Sequence, residues 1–153
     1  MPDDATEKVI IYNGSELREV DDKRRLQIPA RWRPSKDTEF TMVYWPKHPA
    51  GPCLRVFPLN QFLKLVQKID TMENTDVNKG VLLRSVGEMS IQVRPDTAGR
   101  VCIPQELADK TGITNQARVA GCLTRFEIWK PETYEKVRGV DQLLAPRAYD
   151  LLE

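Results

Sequence analysis

The sequence predicts a mainly β protein with peripheral helices, assembled from two similar halves within one chain. Three observations carry that reading. A short stretch occurs twice, as Asp21-Asp22-Lys23-Arg24-Arg25-Leu26-Gln27-Ile28-Pro29 and as Asp96-Thr97-Ala98-Gly99-Arg100-Val101-Cys102-Ile103-Pro104. Asp, Arg, the apolar pair and Pro stay in register at the 75-position offset from Asp21 to Asp96. A second echo links Leu54-Arg55-Val56-Phe57-Pro58 and its helix start at Leu59 to Phe62 with Phe126-Glu127-Ile128-Trp129-Lys130 and Pro131 to Tyr134. Its offset is 72, from Leu54 to Phe126, so the loops inside the halves differ by a few residues. Finally, short segments rich in β-branched and aromatic residues alternate in polarity, the pattern of half-buried strands. A repeat of this kind decides the fold before any other feature does.

At 153 residues the chain is one ordinary domain or two small ones. Each half would be marginal alone, so the halves are expected to pack together or with other chains. The net charge of +1 argues neither for nucleic acid nor for membrane. Local charge says more: Arg18, Lys23, Arg24, Arg25, Arg31, Arg33 and Lys36 cluster around the first turn, opposed there by Glu19, Asp21 and Asp22. Cys53, Cys102 and Cys122 are odd in number, lie in apolar strand patterns and lack CxxC spacing, which fits free thiols in a reducing cytosol. Met1-Pro2-Asp3-Asp4 is unlike a signal peptide. No apolar run approaches the roughly 18 residues that span a bilayer. The expected protein is soluble and cytoplasmic.

In chain order, Met1 to Lys8 is polar and loose, and Val9 to Tyr12 reads as a short strand closed by the Asn13-Gly14 turn. Ser15 to Val20 is extended and leads into the first tight turn. Asp21 there can bond its own backbone two residues on, as Asp96 can in the second copy, where Gly99 also accepts φ > 0. Each copy reads as strand, turn, strand and helix start, with Arg25 and Arg100 at hairpin tips and Pro29 and Pro104 at helix position N1. Ala30 to Arg33 is at most a short helix, and Glu39 to Trp45 is a strand. Pro46 to Pro52 is a loop, and Leu54 to Phe57 is a strand. Leu59 to Ile69 is an amphipathic helix with Phe62, Leu65, Val66 and Ile69 on one face. Asp76 caps a second helix to Val86. Met89, Ile91 and Val93 alternate against polar residues up to Arg94. Gln105 to Thr111 is a helix ended by Gly112. Gln116 to Gly121 and Arg125 to Lys130 are strands, Pro131 to Val137 begins the last helix, and Asp141 to Leu152 is weakly amphipathic.

Arg25 and Arg100 carry the sharpest functional question. One reading pairs each with the Asp four residues earlier, rigidifying its turn. The other gives each a phosphate or a guanine edge, which Arg binds through two parallel bonds; both can hold together. Asp21, Asp22 and Asp96 read as turn caps and Arg partners, not as acid–base catalysts. His48 is the only histidine, with no donor adjacent in sequence, so no metal site is expected. None of the thiols has a reactive setting, and no Gly-rich phosphate loop is present. Trp32, flanked by Arg31 and Arg33, is assigned to the core in preference to base stacking.

The paired Asp-x-x-x-Arg-x-x-Ile-Pro turns, with Cys53 to Leu59 and Phe126 to Trp129, resemble those of the MraZ family, bacterial transcriptional regulators of the division and cell-wall gene cluster. The resemblance runs from about Tyr12 to about Val137. It implies two AbrB-like swapped-hairpin halves forming a double-split β-barrel within one chain. The corresponding division is a first half at 8–58, a helical connector at 59–87, a second half at 88–137 and a C-terminal extension at 138–153. It implies a non-enzymatic, sequence-specific DNA-binding repressor at the nucleoid, needing no cofactor and no small-molecule substrate. Its partners would be promoter direct repeats in double-stranded DNA and further copies of itself in a ring-like homo-oligomer. The DNA-facing role carries to Lys23, Arg24, Arg25 and Arg100, and then to Arg18 and Arg94. Arg24 stands where the family has Gly. A left-handed residue other than Gly costs roughly 1–2 kcal/mol, so either the first turn has another shape or a phosphate contact offsets the strain. An AbrB-like antitoxin or transition-state regulator is the nearest alternative, though usually with one half per chain. An enzyme on a small barrel lacks a clustered polar site, and an interaction module without nucleic acid draws support from the near-neutral charge.

Overall fold

The computed structural model describes residues 9–153; the stretch from Met1 to Lys8 lies outside them. In chain order the strands are β1 (Ser15–Glu19), β2 (Arg25–Gln27), β3 (Phe40–Trp45), β4 (Cys53–Pro58), β5 (Ser90–Val93), β6 (Arg100–Cys102), β7 (Gln116–Gly121) and β8 (Phe126–Trp129). The helices are α1 (Leu59–Asp70), α2 (Val77–Glu88), α3 (Gln105–Thr111) and α4 (Pro131–Asp150), with a single 3-10 turn at Ala30–Trp32. Val9 to Tyr12 is not a strand: only Tyr12 pairs, in one isolated bridge to Leu123.

Six strands form one antiparallel sheet in the order β1-β7-β8-β4-β3-β5, and β2 pairs with β6 in a separate two-stranded ribbon. The tight turns form as the sequence indicates. Arg24 N–H donates to Asp21 O at 2.9 Å and Gly99 N–H to Asp96 O at 2.9 Å. The hairpins expected around them do not form. Beyond each turn the strands part, β1 to pair with β7, β5 with β3, and β2 with β6. Alternation fixes which face of a strand is buried, but it says nothing about the neighbour. Each half thus completes its sheet with a strand from the other, and the sheet stays open at β1 and β5.

One face of the sheet holds the main core. Leu54, Val56, Val119, Phe126 and Ile128 meet Leu26 and Val101 from the ribbon, with Ile28 and Ile103 beside them. Trp32 is fully buried; its ring stacks on Phe126 at 4.9 Å, and Phe40 meets Phe126 edge-on at 5.2 Å. Truncating such a ring leaves a cavity worth about 3–5 kcal/mol. Burial also pushes the Tyr12 hydroxyl up to about 12.

The other face is covered in two places. α4 lays Val137 and Tyr134 against Cys53, Ala120 and Trp129, and α1 brings Phe62 to Phe57 at 6.2 Å. Near these, Glu127 faces two arginines and accepts one hydrogen bond. Arg55 Nε is 3.4 Å from Glu127 Oε2, too poorly aligned for a hydrogen bond, and Arg125 is 3.9 Å from the same oxygen. Trp129 Nε1–H donates to Glu127 Oε1 at 3.0 Å, and the Arg55 guanidinium stacks on Trp45 at 4.0 Å.

The helices form largely where expected. Asp76 caps α2, its carboxylate accepting from Asn78 N–H at 2.9 Å. Gly112 ends α3 in a left-handed conformation, φ +74°. On α1, Ile69 is buried and Phe62 and Leu65 half-buried, but Val66 is 38 % exposed. α2 buries none of its residues. Ile91 is 43 % exposed, although Met89 and Val93 pack on the core, because β5 is an edge strand with a neighbour on one side only. Pro131–Asp150 is one continuous helix running through Pro146 into the weakly amphipathic segment. No described helix is long and apolar enough to cross a membrane.

Candidate nucleic-acid interface

The β2–β6 ribbon follows from alternation within the repeated stretch. In each short strand the central residue, Leu26 or Val101, turns inward and is buried. The flanking residues, Arg25 and Gln27 on one strand and Arg100 and Cys102 on the other, therefore share the outward face. Register places Arg25 opposite Cys102 and Gln27 opposite Arg100. Cys102 is thus exposed, against the expectation of an apolar setting for all three thiols, while Cys53 is buried and Cys122 half-buried; all three are free. Burial, then Glu127, pushes Cys122 up to about 12 and Cys53 higher.

The ribbon has a local two-fold relation between its strands. Ile28 N–H donates to Gly99 O at 2.9 Å, and Ile103 N–H to Arg24 O at 2.8 Å. Gln27 Nε2 donates to Ala98 O at 2.6 Å, and the equivalent Cys102 thiol meets Lys23 O at 3.3 Å.

Each turn holds its own Arg. Asp21 accepts from Arg25 N–H at 2.8 Å and from Arg25 Nε–H at 2.8 Å. Asp96 accepts from Arg100 N–H at 3.0 Å and from Arg100 Nε–H at 3.1 Å. The Arg25 and Arg100 backbone N–H groups are the main cause holding these carboxyls below the usual carboxylate range. Arg100 also reaches within 3.8 Å of Asp21, so the two turns share a carboxylate. Both side chains are about two-thirds covered, and their guanidinium groups are oriented before any ligand arrives.

The remaining sequence candidates divide. Lys23 is exposed beside the first turn. Arg18 lies on β1 in a groove shared with Arg25, Gln27 and Arg100, and donates to Glu16 at 2.7 Å. Arg94, just past β5, donates to Glu39 at 3.0 Å, and its described polar contact is not with the ribbon. Arg24 keeps the left-handed conformation, φ +62°, so the first turn retains the shape of the second. Its strain is offset within the chain: Nε–H donates to Ile103 O at 2.9 Å and a terminal nitrogen to Gln105 Oε1 at 3.0 Å. Arg24 is therefore a strut between the first turn and the start of α3.

Gln27, Cys102 and Arg33 belong to this surface too. The first two were readable from alternation with Arg25 and Arg100. Arg33 donates Nε–H to Ile28 O at 2.9 Å and packs over Gly99, a contact across the chain that no local pattern signals. Among the described residues no group of His, Cys, Asp and Glu could hold a metal ion. His48 accepts from Ala50 N–H at 3.0 Å and meets Trp129 edge-on.

What this arrangement offers is two fixed guanidinium groups on the outer face of a narrow antiparallel ribbon, flanked by Lys23 and Gln27. A family model described as "MraZ protein, putative antitoxin-like" matches residues 90–143. A relative named "Transcriptional regulator MraZ" from Alcanivorax borkumensis is 30% identical over 130 residues, covering 84% of this chain and 89% of its own. Another of that name, from Rickettsia africae, is 31% identical over 137 residues, covering 88% and 91%. A third, from Thermomicrobium roseum, is 28% identical over 124 residues, covering 81% and 84%.

Proposed function

The chain belongs to the MraZ family, and from that premise we propose that it is a sequence-specific DNA-binding transcriptional regulator, acting as a repressor of the cell-division and cell-wall gene cluster. The observation that carries the reading is the ribbon, with Arg25 and Arg100 placed diagonally on its outward face. A two-stranded ribbon fits the B-DNA major groove, about 12 Å wide, and Arg binds guanine there through two parallel bonds. Asp21 and Asp96 engage Nε of their arginines, and Asp96 also lies 3.1 Å from a terminal nitrogen of Arg100. In the reading, this orients both guanidinium groups before DNA arrives, with little ordering left to do. Lys23, Arg24, Arg18 and Arg94 add phosphate contacts, Arg24 while also bracing the first turn against Ile103 and Gln105.

The exchange of β1 and β5 supports the reading of 8–58 and 88–137 as AbrB-like swapped-hairpin halves of a double-split barrel, with 59–87 as connector and 138–153 as extension. Exposed apolar residues on α1 and α2, among them Leu63, Val66, Val81 and Leu83, support self-association into a ring-like homo-oligomer. Linked ribbons multiply weak single contacts, which suits promoter direct repeats. We place the protein at the nucleoid, as a regulator and not an enzyme.

The test is fluorescence anisotropy with DNA from the protein's own upstream region and a scrambled duplex, at two salt concentrations. Tight, salt-sensitive binding that prefers the native repeat is expected, with loss in Arg25→Ala and Arg100→Ala while assembly survives. No binding to either duplex at low salt overturns it.

A further inference from the structure

We infer that the ribbon docks on DNA in one orientation only, with Gln27 as a specificity-determining residue that reads a base on one side of its local two-fold axis. The inference rests on the DNA reading above and adds a direction to it.

The backbone of the ribbon is two-fold. The bonds from Ile28 to Gly99 and from Ile103 to Arg24 are equivalent, as are the Asp21–Arg25 and Asp96–Arg100 pairs. A two-fold protein element matches a palindromic site, because each strand meets the same base edges on its own side of the dyad. The side chains break that symmetry. Where the first turn has Lys23 the second has Ala98, and where β2 has Gln27, β6 has Cys102. The two are positional equivalents on the exposed face, each bonded to the opposite turn's backbone carbonyl.

Lys23 and Gln27 lie towards opposite ends of the ribbon, Lys23 beside Cys102 and Gln27 beside Ala98, so one end gains a cation and the other an amide. Gln can hydrogen-bond adenine at N6 and N7, whereas a thiol is a weak donor and acceptor. Gln27 donates to Ala98 O, which fixes the side chain on the outward face and leaves Oε1 for a base N–H. Arg25 and Arg100 would anchor either orientation equally. Lys23 and Gln27 distinguish the two, one through phosphate and the other through a base edge.

The closing experiment selects bound duplexes from a random library with the full-length protein and reads the unit motif. The wild type is expected to select a non-palindromic motif. Gln27→Ala is expected to reduce discrimination at one base pair of it by about 5-fold or more, leaving the Arg-dependent positions intact. Gln27→Glu is expected to shift that position toward cytosine, whose N4 amino group a carboxylate accepts from. Lys23→Ala combined with Gln27→Cys makes the two sides chemically alike at these positions and is expected to turn the motif palindromic. A palindromic wild-type motif, or a Gln27→Ala motif identical to the wild type's, overturns the inference and leaves the DNA reading standing. Failure of the wild type to enrich any sequence overturns the DNA reading, and this inference with it.

Discussion

Arg33 fills the space over Gly99: a Cβ at position 99 would run into its guanidinium. Gly99 is also left-handed, φ +81°, so two separate causes keep a side chain out. Gly99→Ala is expected to cost about 1–2 kcal/mol from backbone strain and more from displacing Arg33. Adding Arg33→Ala removes the collision but not the strain, so the double variant should be less unstable than the two losses summed. A urea-denaturation double-mutant cycle measures this. Simple additivity would contradict it.

Arg24 solves the same problem in the opposite way, adopting φ +62° and bonding Ile103 O and Gln105 with its own side chain. Arg24→Ala loses those bonds and keeps the strain, while Arg24→Gly loses the bonds and relieves it. The glycine variant should be the more stable of the two by about 1 kcal/mol. Thermal and chemical unfolding of the pair decides the order.

Asp21 and Asp96 ionise more readily in the folded protein than in the unfolded chain, whose ordinary value is near 3.8. Stability from a lowered carboxylate is complete above the unfolded value and disappears as pH falls through the folded one. Asp21→Asn and Asp96→Asn should therefore be less stable than the wild type at pH 7 and converge on it in strong acid. Urea midpoints followed from pH 7 downward test this, and a constant difference at every pH would rule it out.

Glu127 is the carboxylate closest to both Arg55 and Arg125, and it accepts from the Trp129 indole. Glu127→Gln leaves two partly buried guanidinium groups facing each other. With full burial the loss would be about 3–5 kcal/mol; Arg55 and Arg125 each keep about a quarter of their side-chain surface, so roughly 1–3 kcal/mol is expected. Denaturation gives the stability, and a change in tryptophan emission reports Trp129 directly.

The parts of this molecule that depend on nearby residues are legible in its sequence. Asp76 and Gly112 bound their helices as their chemistry dictates, and each turn Asp finds the Arg four residues on. Alternation along Arg25-Leu26-Gln27 already assigns an inner and an outer face. What sequence does not carry is the identity of a distant partner. The departure of β1 to β7, the reach of Arg24 to Ile103 and the seat of Arg33 over Gly99 each join residues far apart in the chain. The expected strand at Val9 to Tyr12 failed for a related reason: an apolar run becomes a strand only where an edge is free to receive it, and here only Tyr12 bridges.

The exchange of strands also sets a timetable. β1 is made early, yet its partner β7 lies near the far end of the chain. β3 must likewise wait for β5, and β2 for β6. During synthesis the first half leaves the ribosome with Leu26 and the β3 edge uncovered, and it cannot close until the second half follows. Pairings this distant in sequence slow folding and prolong the exposure of unpaired edges. Two nascent chains on neighbouring ribosomes can each supply the strand the other lacks. Translation is therefore a stage at which this protein's strands are open to mispairing.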